Sequence, residues 1–299
     1  MESPALFNWY PDLLSVLLVD LVLAVIILTA FRKFSGLISN VSSTEELAER
    51  DNFAFGLVFA GGIAGLAIVL TGAISGDAGR NIIHEIILVL SYGVSGIVLM
   101  MLARKILDNV ALPDIDIHQQ IMKGNMAAAI VDVANLIATA IIVRAVMVWI
   151  DDNTLYGLFA VFIGFIVSQI VLTAVTKYRS KVYAMRHQGK SLQSAFENGN
   201  KALAIRYFGH KVGVALAVTA ASGFVPYNDD RIIMASIAWG IVSIILTVLL
   251  SVIAIVARHL ILAKIDVVNE VDVQENLGIG FAEAMIYVAI GLLLSSLIA

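Results

Sequence analysis

No cysteine occurs among the 299 residues, which excludes disulfides, thiolate metal sites and thiol catalysis. Charge is also scarce: 14% of residues are Asp, Glu, Lys or Arg, against about a quarter in soluble globular domains. Together with 60% hydrophobic residues and a mean hydropathy of +0.94, this excludes the soluble class and puts the chain in a membrane. Signatures of hydrolytic and phosphate chemistry are missing too. There is no Gly-x-x-x-x-Gly-Lys-Ser/Thr loop, no His-Glu-x-x-His and no Gly-x-Ser-x-Gly, so the sequence predicts no enzyme activity, no metal and no cofactor. The N-terminus lacks a basic n-region, and its first apolar run is long and carries Asp20, so that run is expected to remain as a helix.

What the chain does have is apolar runs. Eight stretches, near 12–31, 53–73, 82–103, 126–149, 155–176, 202–223, 232–257 and 277–298, are long enough to cross a hydrocarbon core of roughly 30 Å. An asparagine recurs at the mouth of every second one. Asn52, Asn125, Asn200 and Asn276 lie 73, 75 and 76 residues apart. The second position after each is small (Ala54, Ala127, Ala202, Gly278), and so is the fourth (Gly56, Ala129, Ala204, Gly280). Such periodicity predicts a repeat architecture: an all-α bundle of eight transmembrane helices, built as four tandem two-helix hairpins.

The charges sort by face. Lys and Arg concentrate in the links that follow odd-numbered runs, around 32–51, 104–124, 177–200 and 258–275, whereas the opposite face has Arg80, Arg231 and, near a helix end, Arg144. By the positive-inside rule the asparagine face is cytoplasmic and both termini are outside. The third link carries Lys177, Arg179, Lys181, Arg186 and Lys190. It reads either as a topogenic signal or as an attraction for anionic headgroups or an acidic partner. No nucleic acid is needed to explain it. On the outer face, His84 and Glu85 near Asp77 and Arg80 fall short of a metal-ligand set and read as helix-end solvation. Asp151-Asp152 and Asp229-Asp230 read as helix-start carboxylates.

A larger duplication overlies the fourfold one. At an offset of 148, Gly61 aligns with Gly209, Gly65 with Gly213, Ala67 with Ala215 and Thr71 with Thr219, while Ala103-Arg104 and Ala257-Arg258 close equivalent runs. Two parallel halves of two hairpins each are expected, over 1–150 and 151–299, related by an axis near the membrane normal. The Gly61/Gly65 and Gly209/Gly213 pairs would let helices approach closely, first within the chain and second in a homo-oligomer.

The small-residue helix opening on Asn, repeated in tandem two-helix units, resembles the DUF350 family of bacterial inner-membrane proteins. The resemblance covers essentially the whole chain and brings no catalytic residues with it. It implies an integral inner-membrane location. Because members are found beside phage-shock-protein-A-like membrane-remodelling proteins, it also implies a cytoplasmic partner of that kind and a role in envelope stress.

The remaining signal is charge where charge is costly. At 1.5 Å per residue, the position seven after each Asn lies about 10 Å into the core, and two repeats place an acid there, Asp132 and Glu283. The sixth run instead carries Arg206, His210 and Lys211. An ionisable group at the bilayer centre costs at least about 2.5 kcal/mol unless it faces the bundle interior. The expectation is one buried polar cluster of Asp132, Glu283, Arg206, His210, Lys211 and Asn135. It reads as a path for protons, ions or a small solute, because His titrates near neutrality and neighbouring charges tune it. The competing reading is a set of locked ion pairs fixing helix register in a membrane scaffold that recruits its partner through the basic loops.

Overall fold

The computed structural model describes residues 11–39, 41–75, 82–150 and 157–298, so Asp77, Arg80, Asp151 and Asp152 lie outside the described residues. The regular structure there is all helical. Eight long helices, α1 (Pro11–Ser39), α2 (Phe53–Ala73), α3 (Ile82–Ile106), α5 (Met126–Trp149), α6 (Gly157–Arg186), α8 (Lys201–Ala220), α9 (Ile232–Ile261) and α11 (Leu277–Ile298), alternate with three short ones, α4 (Ile117–Met122), α7 (Leu192–Glu197) and α10 (Val267–Asp272). Among the described residues, seven of the long helices are long and apolar enough to cross a membrane. The exception is α8, whose Lys201, Arg206, His210 and Lys211 lower its hydropathy. Its neighbours bury it along nearly its whole length.

The second helices of the hairpins form the centre: α2 packs on α5, α5 on α8 and α8 on α11, while α1, α3, α6 and α9 follow one another alongside. Glycines set the spacing. A Cβ on Gly209 would lie 2.2 Å from Ala284 Cα, and one on Gly213 would lie 2.7 Å from the Tyr287 carbonyl oxygen, so α8 and α11 touch backbone to backbone. At the equivalent places in the first half the approach is looser. Gly61 faces the Val133 side chain and Gly65 the Met100 methyl. These pairs therefore work within the chain. Far from the asparagine face, Trp149 stacks on Trp239, meets Tyr227 edge-on and donates from Nε1 to the Val225 carbonyl at 2.6 Å.

Several links are more helical than the sequence suggested. The 177–200 segment is not a loop: α6 continues to Arg186, because Lys, Arg, Tyr and Ala keep good helix geometry after the apolar run ends. Likewise α9 reaches Ile261, and α3 runs on through a π-helical turn, Leu107–Ala111. Asn228, rather than the acids after it, accepts from the Arg231 amide ahead of α9.

The asparagines punctuate the repeats. Each follows a residue in the left-handed region, Asp51, Gly124, Gly199 or Glu275, and its own amide closes the preceding turn onto Glu46, Gln120, Ala195 or Glu270. Its Oδ1 then caps the next helix, accepting from Phe55, Ala127 and Ala128, Leu203 or Ile279. In three repeats Nδ2 also reaches forward into the next repeat. Asn52 donates to the Ile121 carbonyl at 3.2 Å, Asn125 to Glu197 at 2.9 Å and Asn200 to Val271 at 3.3 Å. Asn276, in the last repeat, donates to its own Glu270 at 2.9 Å and is exposed.

Candidate functional site

The structure buries all six of the polar residues expected in the interior and divides them between two places. Glu283 is 1% exposed, Asp132 3% and Lys211 3%. The division follows from α8. At 100° per residue Arg206 and His210 point within about 40° of each other, whereas Lys211 points about 100° away from His210. One helix therefore supplies cations to two different neighbours.

On the α5 side, Asp132 is held by Arg104, whose Nε donates to Oδ1 at 3.0 Å and whose Nη2 bonds Oδ2. Asn135, one turn further, donates to the Ala103 carbonyl at 3.1 Å and presents Oδ1 to Lys211 Nζ at 3.5 Å. Lys211 also reaches the Leu172 carbonyl at 3.5 Å. This is a narrow polar seam packed between helices. There a fork holds the carboxylate and a lysine sits among carbonyl-type oxygens, with the Arg104 side chain 24% exposed.

On the α11 side the same acid–arginine motif recurs: Arg258 Nη1 donates to Glu283 Oε1 at 3.1 Å, with Arg206 Nη1 at 3.7 Å from Oε2. More polar groups surround it. Arg206 also pairs with Asp272, which bonds His187 Nε2 through its other oxygen at 2.8 Å. His210 packs its ring 3.9 Å from that of Tyr287, and its Nε2 lies 3.3 Å from Arg179 Nη1. The Arg179 guanidinium sits 5.1 Å over the Tyr287 ring. Between α6, α8, α9 and α11 these side chains, His187 excepted, border a cavity of about 850 Å³. Its other walls combine aliphatic residues, among them Ile244, Val248 and Val252 from α9 and Ile170 from α6, with Tyr178, Tyr183, Tyr207, Thr247 and Ser251.

Asp132 thus does not share a pocket with Arg206 and His210, and Glu283 does. Sequence reasoning missed Arg104, Arg258, Arg179, Asp272 and His187, all assigned to links. A usable signal was present: Ala103-Arg104 and Ala257-Arg258 precede Asp132 and Glu283 at nearly equal separations in the two halves. Asp20, half-buried on α1, has one buried carboxylate oxygen without a hydrogen bond and stands apart from both places.

The comparisons agree with this membrane architecture. A UPF0719 transmembrane protein of Aquifex aeolicus (strain VF5) is 29% identical over 103 residues, which are 34% of this chain and 38% of that protein. The chain thus matches well under half of that relative's length. No solved structure matches the chain. The family described as Domain of Unknown Function (DUF350) matches twice, over residues 8–147 and 153–298. Two matches that together span nearly all of a polytopic helical membrane protein identify the chain as a member of the DUF350 family.

Proposed function

We propose that this is a non-enzymatic inner-membrane protein that admits a proton, an ion or a small solute to the polar cavity of its second half. The observation carrying this reading is the cavity of about 850 Å³ that Arg179, Arg206, His210, Arg258 and Glu283 border. Space beside an ion-pair network allows its members to exchange partners with a ligand. In this reading the asparagine face is cytoplasmic, the termini are outside, and α8 is the eighth span, sheathed by its neighbours.

The rival reading, a scaffold in envelope stress, draws support from the exposed Lys177, Lys181 and Lys190 around the end of α6, which would offer a phage-shock-protein-A-like acidic partner a basic ridge. Flux in proteoliposomes across a pH gradient separates the two. Wild-type flux should fall several-fold in Glu283→Gln and His210→Gln and persist in Asp132→Asn, with folding checked by monodisperse elution. Absent flux in folded wild type, together with partner capture lost in a Lys177/Lys181/Lys190→Gln variant, would favour the scaffold.

A further inference from the structure

Resting on the reading of the second-half cavity as a binding site, we propose that it takes the singly charged phosphate of an anionic phosphate ester, with Arg179 as the principal anchor. The cavity wall carries Arg179, Arg186, Arg206 and Arg258 against Asp272 and Glu283. Arg186 is exposed and solvated, leaving three guanidiniums facing two carboxylates. Both carboxylates are already engaged, Asp272 by Arg206 and His187 and Glu283 by Arg258 and Arg206.

Arg179 is the surplus cation. Among the described residues no carboxylate lies within ion-pairing distance of it. It has the His210 ring nitrogen, the Tyr287 ring face and a buried Nε with no hydrogen bond. Arg179 is half-buried, and a cation partly withdrawn from water carries a desolvation cost when no carboxylate pairs with it. A bound anion beside Arg179 removes that cost.

The donors and the walls specify the anion. Arginine's planar fork matches the oxygens of phosphate, and several arginines around one cavity suit a tetrahedral group with more acceptor oxygens than a carboxylate. One surplus positive charge matches a phosphodiester. Beyond the arginines the lining includes Ile170, Ile244, Val248 and Val252, an aliphatic stretch that would accommodate acyl chains. Basic pockets between transmembrane helices bind lipid headgroups by this combination. A soluble phosphate ester would satisfy the same arginines and leave the aliphatic wall unused.

Native mass spectrometry of the delipidated full-length protein in detergent tests this, with phosphatidylglycerol, phosphatidylcholine and glycerol 3-phosphate as probes. Phosphatidylglycerol should be retained at one per chain and phosphatidylcholine should not. Arg179→Gln should weaken retention on the order of tenfold or more, the loss expected for hydrogen bonds to a charged group. Arg179→Lys, which keeps the charge and loses the fork, should fall between, and Lys181→Gln, an exposed cation on the same helix, should match wild type. Glycerol 3-phosphate is a monoester of nearly two negative charges at neutral pH, so its binding with the same Arg179 dependence would assign the site to a soluble ester and overturn the singly charged one. Equal retention of both lipids, or retention indifferent to Arg179 in folded variants, would overturn the proposal. Proton flux measured on the same samples is separate: binding without flux sinks the transport reading alone, and flux without binding sinks this one alone.

Discussion

The two halves share a scaffold and differ in what they do with one junction. In the first half α1 closes on α2 by setting the Phe31 ring against Gly62, where a Cβ would lie 2.5 Å from Cζ. The residue 148 positions after Gly62 is His210, and what meets it from α6 is Arg179. A ring seated in a glycine notch is thus replaced by an arginine beside a histidine. Around it the polar substitutions accumulate: Val58 corresponds to Arg206 and Ile63 to Lys211 at the same offset, Leu136 to Tyr287 at the 151-residue offset of Asn125 and Asn276, and Met122 to Asp272 as the last residues of α4 and α10. The acid–arginine pair is common to both halves, as Arg104–Asp132 and Arg258–Glu283. That pair is therefore read as part of the scaffold, and the groups added around it in the second half as part of the site.

The largest expected effect tests that division. Breaking a buried ion pair costs about 3–5 kcal/mol. Asp132→Asn leaves Arg104 with no carboxylate within ion-pairing distance among the described residues, whereas Glu283→Gln leaves Arg206 with Asp272 and Arg258 facing the cavity. Thermal unfolding in detergent should therefore show a greater loss for Asp132→Asn, and Arg104→Gln/Asp132→Asn should recover most of it. Equal losses would erase the difference between seam and site.

Next is the packing contrast. Gly209→Ala forces a methyl into the α11 backbone, while Gly61→Ala meets the movable methyls of Val133. Overpacking of the first kind costs about 1–3 kcal/mol, and the second should cost less. The midpoint for Gly209→Ala should therefore lie below that for Gly61→Ala. A smaller effect concerns the asparagines. Losing a helix cap costs about 1 kcal/mol, and Asn200→Ala loses its forward bonds to Val271 and Asp272 as well. Asn276→Ala should be the mildest of the four alanine variants.

The helices were legible because a membrane span is written as an unbroken apolar run, and the repeat because Asn recurs where a cap is needed. The ends of the helices were not, since lysine and arginine end hydrophobicity without ending a helix, as α6 demonstrates beyond Thr176. That misreading hid the site. Arg179, assigned to a basic loop, is a helical residue turned toward Tyr287 and His210. Asp272 meets Arg206 across 66 residues of sequence, a separation no local pattern encodes. The face angles of Arg206, His210 and Lys211 were already contained in their spacing, and they foretold a split rather than a single cluster.

The second half opens at the junction that the Phe31 ring fills in the first, and the opening is electropositive. The Cys-free chain permits a direct test in detergent free of anionic lipid, with single cysteines at Ser251, on the cavity wall, and at Ile97, its buried counterpart 154 residues earlier. Ser251→Cys should react readily with water-soluble thiol reagents, and faster with a negatively charged reagent than with a positively charged one, while Ile97→Cys should scarcely react. Equal reactivity at the two sites, or a preference at Ser251→Cys for the positive reagent, would contradict the account.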